Sequence, residues 1–384
     1  MLFSFLFLPM QSKEVFAETP IKISEQHDAN SHRDGIPETH WNSHPDARSE
    51  SGWNISVEEK TSSSIINGAT ASIEDYPMTG GMLMRGVIFG QKFDTFVCSS
   101  TLIAPDVVLL AAHCLDDYAF TFGFGEVEDK ELFWTRQADL TSWDGTQQNP
   151  ELPPDTVAVV DYVFHDGFSM ENFDVGISQN DDIALLFLET PITDVQHAFL
   201  PNENIASQIT EGMEVDVVGW GQQIATSQFE SPPPGSYAIK QIGASYIAEL
   251  GTYEFQVGLE EADVRKCHGD SGGPSFATFG GEIRVIGVTS HAYDQSDCFE
   301  TGGVDTRTDA YLEWIESNMI AYCDNGTRTW CEVSGIIPPS FYAEPEEEKR
   351  KLFGCSVTSN TPASLWLCLS LGFLLFGRYR RNEA

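Results

Sequence analysis

Residues 267–274 read Cys-His-Gly-Asp-Ser-Gly-Gly-Pro, and this stretch decides the fold prediction. Glycines stand on both sides of Ser271. Glycine adopts backbone conformations that other residues avoid, so the chain can turn tightly and bring backbone N–H groups and a hydroxyl to one point. The sequence therefore predicts that Ser271 lies in a tight turn at the candidate site.

The region from residue 65 to about residue 320 consists of short apolar, β-branched segments that are broken by Gly, Asp, Asn and Pro. Such a pattern predicts strands. A helical pattern is concentrated at residues 309–315, where Leu312 and Ile315 share one face. Many strands with one terminal helix favour a β-barrel or a sandwich. The clearest predicted strands are residues 96–100, 107–112, 156–164, 183–188, 215–219 and 283–289.

Two further motifs supply candidate catalytic side chains. His113 ends the apolar segment Leu-Ala-Ala-His-Cys, and Asp182 begins the segment Asp-Ile-Ala-Leu-Leu. Cleavage of a peptide bond by serine requires a base, a group that holds the base, and donors for the oxyanion. Either motif alone is more often the edge of an ordinary core. Together with Ser271, in one strand-rich region, they predict a nucleophilic hydrolase.

These motifs, with Gly-Trp-Gly at residues 219–221 and Trp-Ile at 314–315, resemble those of chymotrypsin/trypsin-like serine proteases. The resemblance covers residues 65–320, about two-thirds of the chain. It implies an all-β fold of two six-stranded antiparallel β-barrels with a C-terminal helix. It also implies a secreted serine endopeptidase that works through an acyl-enzyme and acts on protein or peptide substrates, with no cofactor.

The resemblance assigns a role to each candidate residue. His113 would be the general base and then the general acid, and Asp182 would fix the tautomer of His113. Ser271 would be the nucleophile, and the N–H groups of Gly269 and Ser271 would form the oxyanion hole. The alternative is a non-catalytic binding protein on the same scaffold, because fold does not ensure function. The intact set of residues weighs against that alternative.

Eight cysteines in an exported chain favour disulfides. The resemblance implies that Cys98–Cys114 joins the histidine loop and that Cys267–Cys298 joins the nucleophile loop to a wall of the specificity pocket. No Cys-x-x-Cys pair or His-x-x-x-His cluster predicts zinc. No metal ligand set stands out, so we expect no zinc site, and the sequence leaves open whether calcium stabilises a loop.

The resemblance also explains Ile-Ile-Asn-Gly at residues 65–68. In this family a zymogen is cut before such a sequence, and the new amino group of Ile65 would pair with Asp270. A buried ammonium–carboxylate pair must form as a unit, because either charge alone is costly. Ser64 precedes the junction instead of Arg or Lys. A different activating protease is therefore the expected partner, rather than autoactivation by a trypsin-like cut.

The candidate specificity pocket departs from that of trypsins. Arg265 occupies the position that is aspartate in trypsins, so it would repel Arg and Lys side chains of a substrate. Asp305 aligns with the base of the pocket and would neutralise Arg265; alternatively, Arg265 points outward. We predict a preference for acidic or uncharged residues rather than Arg or Lys. The other predicted pocket residues are Ser290, Ala292 and Gly303.

The two ends of the chain differ from the central region. Residues 1–17 resemble a signal peptide with an apolar run at 2–8, and residues 18–64 form a polar propeptide or flexible leader. Residues 321–354 are predicted to be a linker, in which a disulfide between Cys323 and Cys331 would close a turn-rich loop.

Residues 355–384 contain an apolar run at 363–377 that is followed by three arginines. The run is shorter than the roughly 20 residues of a usual spanning helix. The arrangement resembles the C-terminal sorting tails of some Gram-negative surface proteins, on which a sorting peptidase acts. A simple membrane anchor is the alternative. Both readings predict a secreted or surface-anchored protein.

The formal net charge of −37 comes from 58 acidic and 21 basic residues. A strongly acidic protein repels nucleic acid and anionic lipid. The composition therefore argues against either as the main partner of the folded region.

Overall fold

The computed structural model describes residues 65–121, 123–224, 233, 235–294 and 301–331. The predicted signal peptide, leader and C-terminal tail lie outside the described residues, as does Cys298. Within the described residues, no helix is both long enough and apolar enough to span a membrane.

The described residues form thirteen strands and three α-helices. The strands are β1 Ala69–Thr70, β2 Thr79–Ile88, β3 Gln91–Ala104, β4 Val107–Leu110, β5 Glu128–Thr135, β6 Val157–Phe164, β7 Ala184–Leu188, β8 Glu214–Gly219, β9 Gln241–Leu250, β10 Glu254–Val257, β11 Pro274–Phe279, β12 Glu282–Ala292 and β13 Gly303–Arg307. The helices are α1 Asp117–Thr121, α2 Glu203–Ala206 and α3 Leu312–Asp324. Each of the six strands predicted from the sequence coincides with an observed strand.

The strands form two antiparallel barrels. The first closes in the order β2-β3-β4-β7-β6-β5. The second runs β9-β10-β13-β12-β11-β8 and closes through the pairing of β8 with β9, while β1 adds to β9. The expected all-β fold of two six-stranded barrels with a C-terminal helix is confirmed.

Strands β4 and β7 pair with each other in the first barrel and are wholly buried along their length. Their residues are apolar at every position because neither face meets water. One apolar cluster includes Leu110 of β4 and Val288 of β12, so it connects the two barrels. The segment that follows β4 and the segment that precedes β7 are therefore anchored to buried strands.

The C-terminal helix extends beyond the domain boundary expected near residue 320. α3 continues to Asp324, and Arg328 returns to form a buried ion pair with Asp106 in the turn between β3 and β4, at 2.9 Å. A disulfide joins Cys323 to Cys331. Residues 321–331 are therefore part of the folded unit rather than a linker, because they satisfy the buried charge of Asp106.

Candidate active site

His113 is held by the short 3₁₀ turn Ala112–Cys114 that follows β4. A disulfide from Cys98 of β3 to Cys114 fixes this turn. The backbone N–H of His113 donates to Asp182 Oδ1 at 2.9 Å, and its ring Nδ1 lies 2.8 Å from Asp182 Oδ2. Because Nδ1 faces Asp182, Nε2 is the ring nitrogen available for proton transfer.

Asp182 is fully buried just before β7. Its Oδ2 also accepts the hydroxyl of Ser290, and its backbone carbonyl accepts the hydroxyl of Thr306 at 3.0 Å. Both donors lie in the second barrel. The carboxylate of the first barrel is therefore oriented by strands β12 and β13 of the other.

The His113–Asp182 pair shifts the acid–base properties of both groups. Burial acts to lower the pKa of His113, but the charge and hydrogen bond of Asp182, together with the charge of Asp116, outweigh it and the pKa is raised. Burial acts to raise the pKa of Asp182, but the charge of His113 and the hydrogen bonds from His113 and Ser290 lower it. The pair thus favours an ionised carboxylate beside a ring that accepts a proton more readily than an isolated histidine.

Ser271 lies in a turn that depends on two glycines. Gly269 and Gly272 have φ values of 93° and 76°, in the left-handed region that favours glycine. A Cβ on Gly269 would lie 2.6 Å from the Tyr237 ring, so the close packing also excludes a side chain. Gly273 N–H donates to the carbonyl of Asp270 at 2.8 Å and closes the turn.

The same turn packs against the segment that carries His113. The Gly272 N–H donates to the Thr289 carbonyl at 2.8 Å, one residue before Ser290. A Cβ on Gly272 would lie 3.0 Å from Leu110 Cβ, at the end of β4. Gly272, the residue after Ser271, therefore contacts both β4, which leads to His113, and β12, which carries Ser290.

Two N–H groups of this turn are available to a ligand. Within the described residues, the N–H groups of Gly269 and Ser271 have no protein acceptor, whereas those of Asp270, Gly272 and Gly273 each bond to a carbonyl. Donors in a fixed turn beside a hydroxyl can stabilise a negative oxygen without reorganising. The arrangement matches the requirements of an oxyanion hole.

Asp270, the residue before Ser271, is buried. Its carboxylate accepts the N–H groups of Gly221 and Cys267 at 2.8 and 2.9 Å. Burial nevertheless raises its pKa to about 6. Asp270 therefore carries a charge that its two neutral donors compensate incompletely.

The segment that begins at Ile65 docks beside this region. The Ile65 side chain is buried in the apolar cluster of the second barrel. Ile66 forms a bridge with Arg265, whose N–H donates to the Ile66 carbonyl at 3.1 Å, and the Asn67 side chain donates to the Asp263 carbonyl at 2.8 Å. The start of the predicted mature chain thus lies alongside the segment that leads to Asp270.

The polar groups of the predicted pocket pair differently from the expectation. Asp305 pairs with Lys266 instead of Arg265. Both of its carboxylate oxygens contact the Lys266 ammonium, at 2.9 and 2.7 Å. Arg265 is buried and donates to the Glu261 carbonyl at 3.1 Å. Consecutive residues of an extended chain point to opposite sides, so only one of two neighbouring cations reaches Asp305.

The remaining predicted pocket residues lie on β12 and β13. Ala292 and Gly303 are partners in the register of these strands. A Cβ on Gly303 would lie 3.6 Å from Lys266 Cβ, so a small residue there leaves space beside Lys266. The Ser290 hydroxyl instead bonds to Asp182 and belongs to the His113–Asp182 network.

Three titratable residues in the second barrel were not assigned a role from the sequence: Lys266, Glu254 and His291. Glu254 is a buried carboxylate on β10 that accepts the N–H of Ser178 at 2.7 Å. It also accepts a hydrogen bond from the side-chain amide of Asn180 at 3.0 Å. Asn180 lies two residues before Asp182. In a strand, a single charged residue between apolar neighbours usually faces solvent. No sequence signal therefore distinguished it.

Cys98, His113 and Cys114 form the one group in the described part of the chain with spacing suited to a metal ion. Zinc binds cysteine as a thiolate. Both sulfurs are joined in a disulfide. This group therefore does not offer a thiolate ligand set.

Comparison with known proteins agrees with this geometry. The family model described as Trypsin matches residues 65–315. Human chymotrypsin-like elastase family member 1 is 28% identical over 273 residues, covering 68% of this chain and 94% of its own length. The rat protein of the same name is 27% identical over 275 residues, with 68% and 92% covered. Ovochymase of Halocynthia roretzi is 28% identical over 229 residues, which are 56% of this chain and 13% of that protein. The chain belongs to the trypsin family and is a serine endopeptidase.

Proposed function

We propose that the endopeptidase acts through Ser271, His113 and Asp182. His113 takes the proton of the Ser271 hydroxyl, and the hydroxyl oxygen attacks the peptide carbonyl to give an acyl-enzyme. His113 then donates this proton to the leaving amine and activates the water that releases the acid. Asp182 holds the ring with Nε2 toward the reacting atoms and stabilises its charged form.

The observation that carries this proposal is the His113–Asp182 hydrogen bond of 2.8 Å beside a turn with two available N–H groups. Gly269 and Ser271 would donate these groups to the oxyanion. A scaffold that only bound peptides would need neither a buried carboxylate on the ring nor donors beside a hydroxyl. The non-catalytic alternative therefore explains less of the site.

A serine-directed fluorophosphonate tests the nucleophile. The processed protein should be labelled stoichiometrically at Ser271, and Ser271→Ala should abolish labelling. Ser275→Ala is the matched control, because Ser275 is a neighbouring buried serine on β11 that bonds to Lys266 instead. Labelling that persists in Ser271→Ala, or that is absent from the correctly processed protein, would contradict the proposal.

We also propose that the enzyme does not favour Arg or Lys on the acyl side of the cut bond. The region holds the cations Arg265 and Lys266, and both oxygens of Asp305 are engaged by Lys266. A basic substrate side chain would thus meet the Arg265 guanidinium, and the Asp305 carboxylate is already paired with Lys266. The human and rat relatives are named for elastase rather than trypsin, which supports the same preference.

Profiling on a peptide library tests this preference. We expect cuts after uncharged or acidic residues and few after Arg or Lys. Arg265→Gln should relax the discrimination against basic residues, because it removes one of the two buried cations. Strong cutting after Arg by the unmodified enzyme would contradict the assignment.

Activation by cleavage before Ile65 completes the proposed mechanism. The new ammonium would supply the positive charge that buried Asp270 lacks, and their pairing would order the turn of Ser271. Residues 1–17 would direct export, residues 18–64 would form the leader, and residues 355–384 would be a sorting tail or anchor. N-terminal sequencing of the mature protein tests the cleavage site: a start other than Ile65 would remove the partner of Asp270.

A further inference from the structure

A second histidine adjoins the His113–Asp182 pair. His291 follows Ser290 on β12, and the register with β13 shifts between Thr289 and His291. The extra residue of this bulge is Ser290. Bulges re-aim side chains that would otherwise point to opposite faces. Accordingly, His291 Nδ1 lies 3.0 Å from the oxygen of its own neighbour, Ser290.

The other ring nitrogen of His291 holds a loop of the first barrel. Its Nε2 lies 3.0 Å from the Gly176 carbonyl, which only accepts hydrogen bonds, so we assign the ring hydrogen to Nε2. The Gly176 N–H in turn donates to the Tyr293 carbonyl at 2.9 Å. The Phe173 ring packs edge-on against His291 at 4.9 Å. His291 thus fixes the segment that leads toward Asp182.

The contacts that link Asp182, Ser290 and His291 contain one hydrogen fewer than the acceptors could use. A neutral His291 with hydrogen on Nε2 presents a bare lone pair at Nδ1. Ser290 has one hydroxyl hydrogen, while Asp182 and His291 Nδ1 can both accept it. Bonds to a charged acceptor are stronger, which favours Asp182 without removing the competition.

His291 is neutral under the conditions in which His113 works as a base. Burial lowers the pKa of His291, whereas the pKa of His113 is raised. The charged groups that face His291 are Asp182, Asp305 and His113; the carboxylates favour a charged ring, and a charged His113 opposes it. As the pH falls, His113 therefore gains its proton before His291 does.

We propose that His291 is a positioning residue for the active site: it tethers the loop at Gly176 and competes with Asp182 for the hydroxyl hydrogen of Ser290. The competition leaves the Asp182 charge less compensated. A less compensated carboxylate stabilises the protonated His113 ring more strongly. This inference rests on the proposed function of His113 and Asp182 and extends it to a residue outside the triad.

Two substitutions separate the two effects. His291→Gln keeps an N–H donor for the Gly176 carbonyl but loses the Nδ1 lone pair that faces Ser290, whereas His291→Phe removes both groups. In each variant the Ser290 hydroxyl should pass wholly to Asp182. The acid limb of kcat/KM, which reports the protonation of His113 in the free enzyme, should move to lower pH by about half a unit. The plateau should fall further in His291→Phe than in His291→Gln, because only Phe loses the tether.

A double-mutant cycle with Ser290→Ala tests whether the effect passes through the hydroxyl. In the Ser290→Ala background, His291→Gln should no longer shift the acid limb. An equal shift in both backgrounds, or no shift in either, would overturn the inference. A shift to higher pH would also overturn it, because that sign indicates repulsion between two charged rings.

An NMR titration of His113 in Ser271→Ala protein gives the same comparison without catalysis. The midpoint for the His113 ring should fall in His291→Gln and be unaffected by that substitution when Ser290 is Ala. If Ser271 fails to react with fluorophosphonate while this shift is present, the proposed function fails and the His291 coupling stands. If Ser271 reacts and the shift is absent, only the coupling fails.

Discussion

The ammonium of Lys266 contacts both carboxylate oxygens of Asp305, at 2.9 and 2.7 Å, and both side chains are buried. Its third contact is the Ser275 hydroxyl at 2.9 Å. The three hydrogens of the ammonium are therefore matched by three acceptors. This pair uses the carboxylate that the sequence suggested for Arg265, and it makes Lys266 a structural cation rather than an accessible one.

Breaking this pair should destabilise the second barrel. Lys266→Met leaves Asp305 buried without its counter-charge, so we expect the free energy of unfolding to fall by about 3–5 kcal/mol. The double variant Lys266→Met/Asp305→Leu should recover most of that loss, because no charge remains uncompensated. Urea denaturation in a Ser271→Ala background, which prevents self-digestion, measures both. A double variant as unstable as Lys266→Met would show that packing, not charge, sets the cost.

Replacement of Asp182 tests the orientation of the base. Asp182→Asn should lower kcat by about 10⁴, because an amide fails to hold the same tautomer or to stabilise the charged ring. It should also move the acid limb of kcat/KM to lower pH, since the loss of the negative charge lowers the pKa of His113. Ser290→Ala removes a single donor to Asp182 and should cost only about 3–10-fold. A loss in Asp182→Asn no larger than that of Ser290→Ala would contradict the assigned role.

Local motifs predicted much of this site because their meaning lies within a few residues. The apolar run of β4 leads directly into His113, and the glycines around Ser271 dictate the turn in which it lies. Strand pairing then brings these segments together, but the local motifs do not specify which strands pair. The resemblance to a known family supplied that long-range arrangement, which periodicity alone leaves open between a barrel and a sandwich.

Pairings that depend on the direction of one side chain were not predictable. Arg265 and Lys266 are adjacent, and a single residue of register decides which of them faces Asp305. A β-bulge likewise turns the His291 ring toward its neighbour Ser290. The Ser290 hydroxyl in turn bonds to Asp182, 108 residues away in the chain. The sequence does not mark either event, because both arise from packing between strands that are distant in the chain.

The buried Glu254 should make stability depend on pH. Burial raises its pKa to about 7, from 4.5 in the unfolded chain. The folded state therefore holds a proton that the unfolded state releases, and the stabilisation present below pH 4.5 is lost as the pH rises through about 7. Between these limits the wild-type free energy of unfolding should fall relative to that of Glu254→Gln by about 2–3 kcal/mol.

Chemical denaturation at a series of pH values, in Ser271→Ala protein, measures this difference. The matched control is Glu249→Gln, because Glu249 is an acidic residue of the neighbouring strand β9 whose carboxylate accepts an exposed hydrogen bond from the Tyr293 hydroxyl. That variant should follow the wild-type pH dependence. Parallel curves for wild type and Glu254→Gln would show that Glu254 does not hold the extra proton.

A trypsin site at the junction should make activation controllable. Ser64→Arg creates an Arg–Ile bond, and trypsin treatment should then release Ile65 and produce labelling of Ser271. The unmodified precursor offers Lys60 as its nearest upstream site, and a cut there leaves Ile65 within the chain. In the Ser64→Arg precursor, Asp270→Asn should be cut equally but labelled about 10²-fold more slowly, because the oxyanion donors are not ordered.

The activated form should lose activity at alkaline pH. The proposed pair with Asp270 needs a protonated amino group at Ile65, so the pair should be present at neutral pH and be lost once the pH is high enough to remove that proton. Acetylation of the new amino group should give the same loss at neutral pH. Full labelling of the precursor cut only at Lys60 would contradict this mechanism.

Arg328, Thr329 and Trp330 contact Asp106, and this C-terminal clasp should determine where the catalytic domain can be ended. Arg328 and Asp106 are both buried, and Asp106 also accepts the N–H groups of Thr329 and Trp330. Arg328→Met should lower the free energy of unfolding by about 3–5 kcal/mol, because Asp106 remains buried without a cation. Arg136→Met breaks a pair whose partner, Asp194, is 67% exposed, and should cost less than about 1 kcal/mol.

Truncation gives an independent measure of the same contact. A chain that ends at residue 320 removes the last turn of α3, the Cys323–Cys331 disulfide and Arg328, so it should be as unstable as Arg328→Met or worse. A chain that ends at residue 331 should match the longer protein. Urea denaturation of the two truncated chains, each with Ser271→Ala, compares them directly. Equal stability would mean that Asp106 is satisfied by solvent once residues 321–331 are gone, and that the folded domain ends near residue 320.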